Sequence, residues 1–129
     1  MIGVDTNVLL RLATNDNRSQ VLAIAAWLHE HAQDEMLFVN QVVLAESIWT
    51  LKSAYRYGRD SLSLFVVTLL GNAAFEIEQA GLVEDALQLF RAGKADFADC
   101  LIFAKNARVC RATITLDRAA RELPQAALL

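Results

Sequence analysis

The sequence predicts an α/β domain built around a parallel sheet. Its first residues, Met1–Val4, form a short apolar run with the length of a buried strand, and a helix-like pattern begins soon after Asp5. Further along, short apolar runs alternate with helical periodicity, an order that is typical of βαβ units with right-handed crossovers. The 129 residues match the size of one domain, and no linker, repeat or low-complexity segment divides them. We therefore expect a single domain over residues 1–129.

Residues at the ends of the predicted elements support this assignment. Asn40 is a favoured N-cap residue for the helix after the second strand, Gly93 is suited to end a helix, and Pro124 stops one. Besides the opening run, strands are predicted at residues 36–39, 74–78 and 112–116, with a last strand at 126–129. Helices are predicted at residues 7–13, 18–32, 41–55, 61–70, 82–92, 96–108 and 117–123.

Composition limits the class of protein. Hydrophobic residues make up 55% of the chain, which indicates either a large monomer core or apolar surface covered by a partner subunit. The net charge of −3 argues against a basic nucleic-acid coat, but acids gathered in one site would also lower the total. Two cysteines without a disulfide framework, and no cationic leader, predict a cytoplasmic protein. The apolar stretch 62–70 is too short to span a bilayer, so no membrane association is expected.

Acidic residues follow the predicted strands and open the helices. Asp5 ends the first strand, Asp117 follows the fourth, Glu46 lies in the helix after the second, and Asp96 and Asp99 begin the helix after Gly93. The carboxyl ends of parallel strands meet at one edge of a sheet, where ligands bind in open α/β folds. Clustered carboxylates repel one another unless a cation neutralises them, and Mg²⁺ or Mn²⁺ prefers such oxygens. The pattern therefore predicts a divalent metal site.

Each acid also has a purely structural interpretation. Asp5 and Asp117 are both suited to capping the helices that follow them, and Asp96 and Asp99 resemble a capping pair. For Asp96 we favour the capping role, whereas Asp99 precedes an apolar run and is the better ligand. Glu46 shares a narrow helical stripe with Thr50 and Ser53, and periodicity does not decide whether that stripe faces solvent or a polar cleft.

Four segments together resemble a known family. Val4–Leu9, Leu44–Glu46, Asp96–Ile102 and Thr113–Asp117 look like the four acidic motifs of PIN-domain ribonucleases, in the same order and at similar spacings. The chain is most similar to the small bacterial PIN proteins that form the toxin half of VapBC toxin–antitoxin pairs. The resemblance covers essentially the whole chain.

The resemblance implies a fold and a site. The fold would be a three-layer α/β/α sandwich with a five-stranded parallel sheet in the order 3-2-1-4-5. Asp5, Glu46, Asp99 and Asp117 would be the catalytic quartet that holds Mg²⁺ or Mn²⁺. The supporting residues would be Thr6, Asn7, Asp96 and Thr115.

It also implies an activity and partners. The family cuts single-stranded or looped RNA, here by attack of a metal-activated water on a phosphodiester. Toxin members are often homodimers and are blocked by a cognate antitoxin. Arg11 and Arg118, close in sequence to Asp5 and Asp117, are candidates for binding RNA phosphates, with solvated surface arginines as the alternative. His29 and His31 are interpreted as surface residues.

The apolar helix at 61–70, together with Trp49, is a candidate dimer or antitoxin surface. Packing of the same residues into the core is an equally good interpretation of their apolar character.

Other classes fit less well. A haloacid-dehalogenase-type phosphatase needs a second aspartate two residues after the first, where this chain has Asn7. A receiver domain needs a lysine after its last strand, but no lysine follows Lys105. The alternative that stays open is a catalytically silent PIN-like module that binds RNA or protein.

Overall fold

The strands of the computed structural model, which describes residues 1–129, are short and parallel. They are β1 (Ile2–Gly3), β2 (Leu37–Val39), β3 (Phe75–Ile77), β4 (Thr113–Thr115) and β5 (Ala126–Leu128). The helices are α1 (Thr6–Thr14), α2 (Arg18–His31), α3 (Gln41–Ser53), α4 (Arg59–Gly71), α5 (Ala80–Ala92) and α6 (Phe97–Asn106). The predicted α/β class is confirmed, and the predicted bounds of these eleven elements agree within about two residues, the usual uncertainty of element ends.

The last predicted helix, 117–123, is wrong in type and length. Only one 3₁₀ turn, Arg118–Ala120, forms there. Asp117 caps this turn by accepting a hydrogen bond from the Ala119 amide, and Pro124 follows soon after. A proline disfavours helical backbone at the residue before it, so a helix cannot continue through Leu123.

Backbone hydrogen bonds divide the strands into two parallel groups. One has the order β1-β2-β3, with Ile2 opposite Leu37 and Leu37 opposite Phe75, and the other pairs β4 with β5, with Thr113 opposite Ala126. Both groups are compatible with part of the predicted order. No ladder joins β1 to β4, so the single five-stranded sheet stays a prediction.

The hydrophobic core lies between the sheet and the helices that pack on it. It is one cluster of 24 buried residues, and Val39, Leu44, Leu51 and Val83 are completely inaccessible to solvent. The core residues of α3 and α5 lie in helices that pack against α1 and α6, respectively, so burial of their apolar faces holds the two helices that begin after Asp5 and Asp96. The acidic residues at those helix starts are therefore attached to a packed core.

Apolar side chains also remain on the surface of three helices. No residue of α2 is buried, and Trp27 on that helix is 48% exposed. Trp49 on α3 is 67% exposed, while α4 buries Leu62 and Val66 but exposes Leu64. The predicted apolar helix thus does both: it contributes to the core and presents an apolar edge to solvent. None of the helices has the length and apolar character needed to cross a membrane.

Candidate active site

Asp5 connects β1 to α1 and caps the helix. Its backbone is extended, with φ −88° and ψ 176°, and its Oδ1 accepts a hydrogen bond of 3.0 Å from the Val8 amide. The capping interpretation is thus correct. It does not exclude the ligand interpretation, because a carboxylate has a second oxygen and the Asp5 side chain is exposed.

Asp117 has the same arrangement after β4. Its Oδ1 accepts from the Ala119 amide at 2.9 Å, and its own amide donates to Thr115 Oγ1 at 3.1 Å. Thr115 therefore fixes the backbone that carries Asp117. The two acids that follow strands both use one oxygen to begin the next element.

Asp99 lies in the first turn of α6 and is half-buried. Burial raises the pKa of its carboxyl group, and the negative charges of Asp117 and then Asp96 raise that pKa further. These charges act against the helix dipole, which favours an ionised acid in a first turn. The fold thus brings Asp96, Asp99 and Asp117 into one electrostatically coupled group from two different parts of the chain.

Asp96 occupies the N-cap position of α6, but its side chain makes no capping hydrogen bond. The predicted capping role of that side chain is therefore wrong. Its Oδ1 lies 2.6 Å from Nζ of Lys52, on α3, and both side chains are more than half exposed. The ion pair holds the Asp96 carboxylate, so the helix is left without a side-chain cap. Lys52 has no local sequence signal, because the pair joins distant segments.

Glu46 is exposed on α3. The hydroxyl groups that share its stripe are bound to their own helix: Thr50 Oγ1 donates to the Glu46 carbonyl at 2.9 Å, and Ser53 Oγ donates to the Trp49 carbonyl at 2.8 Å. Serine and threonine often satisfy their hydroxyls in this way within helices. Glu46 and Ser53 are exposed and Thr50 is half-buried, so the stripe is largely open to solvent and Glu46 is its ionisable group.

Arg11 lies beside Asp5 but is held by other side chains. Both residues, with Asn7, line a groove of about 300 Å³ between α1 and α2. Arg11 Nε donates to Gln20 Oε1 at 2.7 Å, and Nη1 lies 3.3 Å from Asp16 Oδ1. Thr6, the first residue of α1, is half-buried.

Asp16 links Arg11 to Tyr55, in the segment that follows α3. The Tyr55 hydroxyl donates to Asp16 Oδ2 at 2.6 Å, and Thr14 Oγ1 donates to Oδ1 at 2.9 Å. These two hydrogen bonds, in that order, are the main reasons that the pKa of Asp16 is lowered, and Arg11 lowers it further. No sequence pattern in residues 14–17, between the first two predicted helices, indicates this network.

Arg118 and the two histidines are all exposed. Arg118, directly after Asp117, is exposed and lines a groove of about 380 Å³. His29 and His31 are exposed in the last turn of α2, which confirms that they are surface residues.

The carboxylates meet some of the requirements of a divalent cation and not others. The coupled carboxylates of Asp99 and Asp117 have the chemistry that Mg²⁺ or Mn²⁺ prefers, and their mutual repulsion is what a cation would relieve. No group of three or more His, Cys, Asp or Glu side chains is arranged so that it could hold a metal ion. The carboxylates fit a cation chemically, but their side chains do not form a finished ligand cage.

Comparison with known proteins agrees with the sequence motifs. Residues 2–125 match the family model described as PIN domain. The chain is 29% identical over 99 residues to a VapC ribonuclease of Aquifex aeolicus (strain VF5), and the alignment covers 76% of this chain and 73% of that protein. No solved structure matches the chain significantly. The predicted resemblance is confirmed, and the chain belongs to the PIN domain family.

Proposed function

We propose that this PIN domain, residues 1–129, is a metal-dependent endoribonuclease and the toxin of a type II toxin–antitoxin pair. The observation that carries the proposal is that Asp99, in the first turn of α6, and Asp117, directly after β4, lie close enough for their carboxyl charges to interact. The similarity to a VapC ribonuclease supports the choice of RNA as substrate.

Asp5, Glu46, Asp99 and Asp117 would hold Mg²⁺ or Mn²⁺. A bound divalent ion supplies a water of lowered pKa and stabilises negative charge on the phosphodiester and its leaving oxygen. In this proposal β1 and β4 are neighbours in one five-stranded sheet of order 3-2-1-4-5 within a three-layer sandwich. That arrangement would place Asp5 beside the coupled acids.

The chain's own residues prepare this site. Thr115 holds the Asp117 backbone, and Asp5 and Asp117 are each oriented by the amide that they cap. Partial burial of Asp99 lowers the screening of its carboxyl charge by water, which strengthens its interaction with a cation. Thr6, Asn7 and Asp96 would support the same carboxylates, and Arg11 and Arg118 would contact RNA phosphates.

We further propose a homodimer and a cognate antitoxin in the cytoplasm. The exposed apolar side chains Trp49 and Leu64, on α3 and α4, support such contacts, since covering them removes apolar surface from water. Light scattering of the isolated protein tests the dimer, and a monomer at every concentration would overturn it.

The activity is tested by incubating pure protein with total tRNA in Mg²⁺ or Mn²⁺. Cleavage that EDTA stops, and that Asp99→Asn loses, is the expected result. Folded, antitoxin-free protein that cuts nothing with either ion would overturn the proposal for this substrate class.

A second function, binding of RNA or protein without cleavage, is favoured by one observation. The acids do not form a group of three metal ligands in the present side-chain arrangement. Metal binding that is unchanged in Asp5→Asn, together with RNA binding but no cleavage, would favour this second function.

A further inference from the structure

A groove beside Asp117 gathers basic side chains in a chain that is acidic overall. It has a volume of about 380 Å³ and lies between the loop joining α5 to α6 and the segment after β4. Lys94 comes from the loop, and Arg118 and Arg121 come from the other wall. All three residues are exposed, although the net charge of the chain is −3. Positive charge is therefore concentrated in this groove, although the chain as a whole is negatively charged.

These three cations are not neutralised by ion pairs. The four salt bridges of the chain use the N-terminus, Arg11, Lys52 and Arg108 instead. Glu122 is the acidic residue that lines the same groove. Lys94, Arg118 and Arg121 together thus leave an excess of positive charge that is available to an anion.

The backbone carbonyl groups of the loop wall accept hydrogen bonds from the side chain of Arg59. Arg59, the first residue of α4, donates from Nη1 to the Ala95 carbonyl at 2.9 Å and from Nη2 to the Gly93 carbonyl at 3.0 Å. It also contacts the carbonyls of Lys94 and Phe90. Carbonyl oxygens at a helix C-terminus carry partial negative charge that would repel an anion. Because the Arg59 guanidinium engages them, the loop wall is less repulsive to phosphate.

Residues of both groove walls are direct chain neighbours of the coupled acids. Lys94 and Ala95 immediately precede Asp96 in the chain, and Arg118 immediately follows Asp117. The backbone that carries Asp96 and Asp117 therefore continues into the groove walls, so a polyanion held by Lys94 and Arg118 would lie near these acids.

We propose that this groove, lined by Lys94, Arg118 and Arg121, holds the phosphate backbone of single-stranded RNA beside the point of cleavage. The proposal rests on the proposed ribonuclease function and assigns to it the path of the substrate. Phosphate contacts of this kind position a strand without reading its sequence. Their contribution to affinity falls with salt, by a slope of about 0.7 per phosphate contact for a single strand.

The test is the salt dependence of binding of a fluorescent single-stranded RNA oligonucleotide, measured by anisotropy in EDTA. Lys94→Ala and Arg121→Ala should each weaken binding several-fold and reduce the slope of log Kd against log salt by about 0.7. Glu122→Gln should strengthen binding, because it removes the acidic group of the groove. Arg18→Ala, a matched loss of charge on α2 outside the groove, should leave both quantities unchanged.

Cleavage with Mn²⁺ separates this proposal from the proposed function. Lys94→Ala and Arg121→Ala should raise the KM for RNA more than they lower kcat. Wild-type cleavage with groove variants that behave like Arg18→Ala would overturn the groove and leave the ribonuclease intact. Wild-type protein that neither binds nor cuts RNA would overturn both. Circular dichroism of each variant excludes misfolding as the cause.

Discussion

Asp99 in α6 and Asp117 after β4 lie close enough for their charges to interact: burial raises the pKa of the Asp99 carboxyl, and the carboxylate of Asp117 raises it further. An ionised Asp99 is therefore unfavourable for the fold at neutral pH. A protein that keeps such an arrangement maintains an electrostatic strain that a bound cation would relieve. Removal of the Asp99 charge should therefore have opposite effects on stability and on activity.

Asp99→Asn should make the protein more stable at neutral pH while reducing RNA cleavage by about a hundredfold or more. Because the pKa of Asp99 is raised on folding, protonation favours the fold at low pH, and that contribution is lost as pH rises through the folded-state pKa. Thermal unfolding at pH 7 should show a higher Tm for the variant.

The gain in Tm should disappear below the ordinary pKa range of an aspartate, where wild-type Asp99 is protonated in both states. Asp34→Asn, in an exposed turn after α2, is the control and should change neither Tm nor cleavage. A lower Tm for Asp99→Asn at pH 7 would show that Asp99 stabilises the fold.

Arg59→Ala should destabilise the protein by roughly 2 kcal/mol or more, because charged hydrogen bonds to carbonyl groups are lost. The guanidinium also lies 3.8 Å from the centre of the Phe90 ring, a cation–π contact that is lost with it. Urea unfolding measures the change. Arg91→Ala, an exposed arginine in the last turn of α5, is the control, and an equal effect of the two variants would contradict a special role for Arg59.

Tyr55→Phe should lower stability slightly at neutral pH, because it removes the hydrogen bond that does most to lower the pKa of Asp16. A lowered pKa means that the stabilisation is present above the ordinary pKa of an aspartate and is lost as pH falls through the folded-state value. The difference in Tm between wild type and variant should therefore shrink in acid. Tyr57→Phe leaves the bond between Tyr55 and Asp16 in place and should not show this pH dependence.

Arg11→Ala should weaken binding of single-stranded RNA and reduce the slope of log Kd against log salt by about 0.7 if Arg11 exchanges its contact with Asp16 for a phosphate. Anisotropy of labelled RNA across a salt series measures both quantities. An unchanged slope would assign Arg11 to the network with Asp16 and Tyr55 alone, and would remove it from the RNA-binding surface.

Local sequence patterns predicted the elements and the caps formed by two acids of the proposed site. Asn40 does cap α3, its Oδ1 accepting from the Val43 amide at 2.8 Å, and Asp5 and Asp117 stand where a strand gives way to a capped turn. These features depend on neighbours within three residues in the chain, so residue type and spacing are enough to find them.

Contacts between distant segments could not be predicted in this way. Lys52 pairs with Asp96, and Arg59 binds the loop after α5, through packing of helices that no local periodicity specifies. Trp27 likewise stays exposed on a helix with an apolar pattern, because burial depends on what packs against that helix. The stripe that contains Glu46 shows the same limit. Helical periodicity predicts which residues share one face of the helix, but it does not predict what lies against that face.

The most direct test of the proposed site is Mn²⁺ binding, measured by electron paramagnetic resonance on the wild type, Asp5→Asn, Asp99→Asn and the control Asp34→Asn. The proposed site predicts that wild type and control bind Mn²⁺ and that both site variants lose affinity by at least tenfold. If wild type binds no Mn²⁺, or if Asp5→Asn binds it as tightly as wild type does, Asp5 and Asp99 do not belong to one metal site.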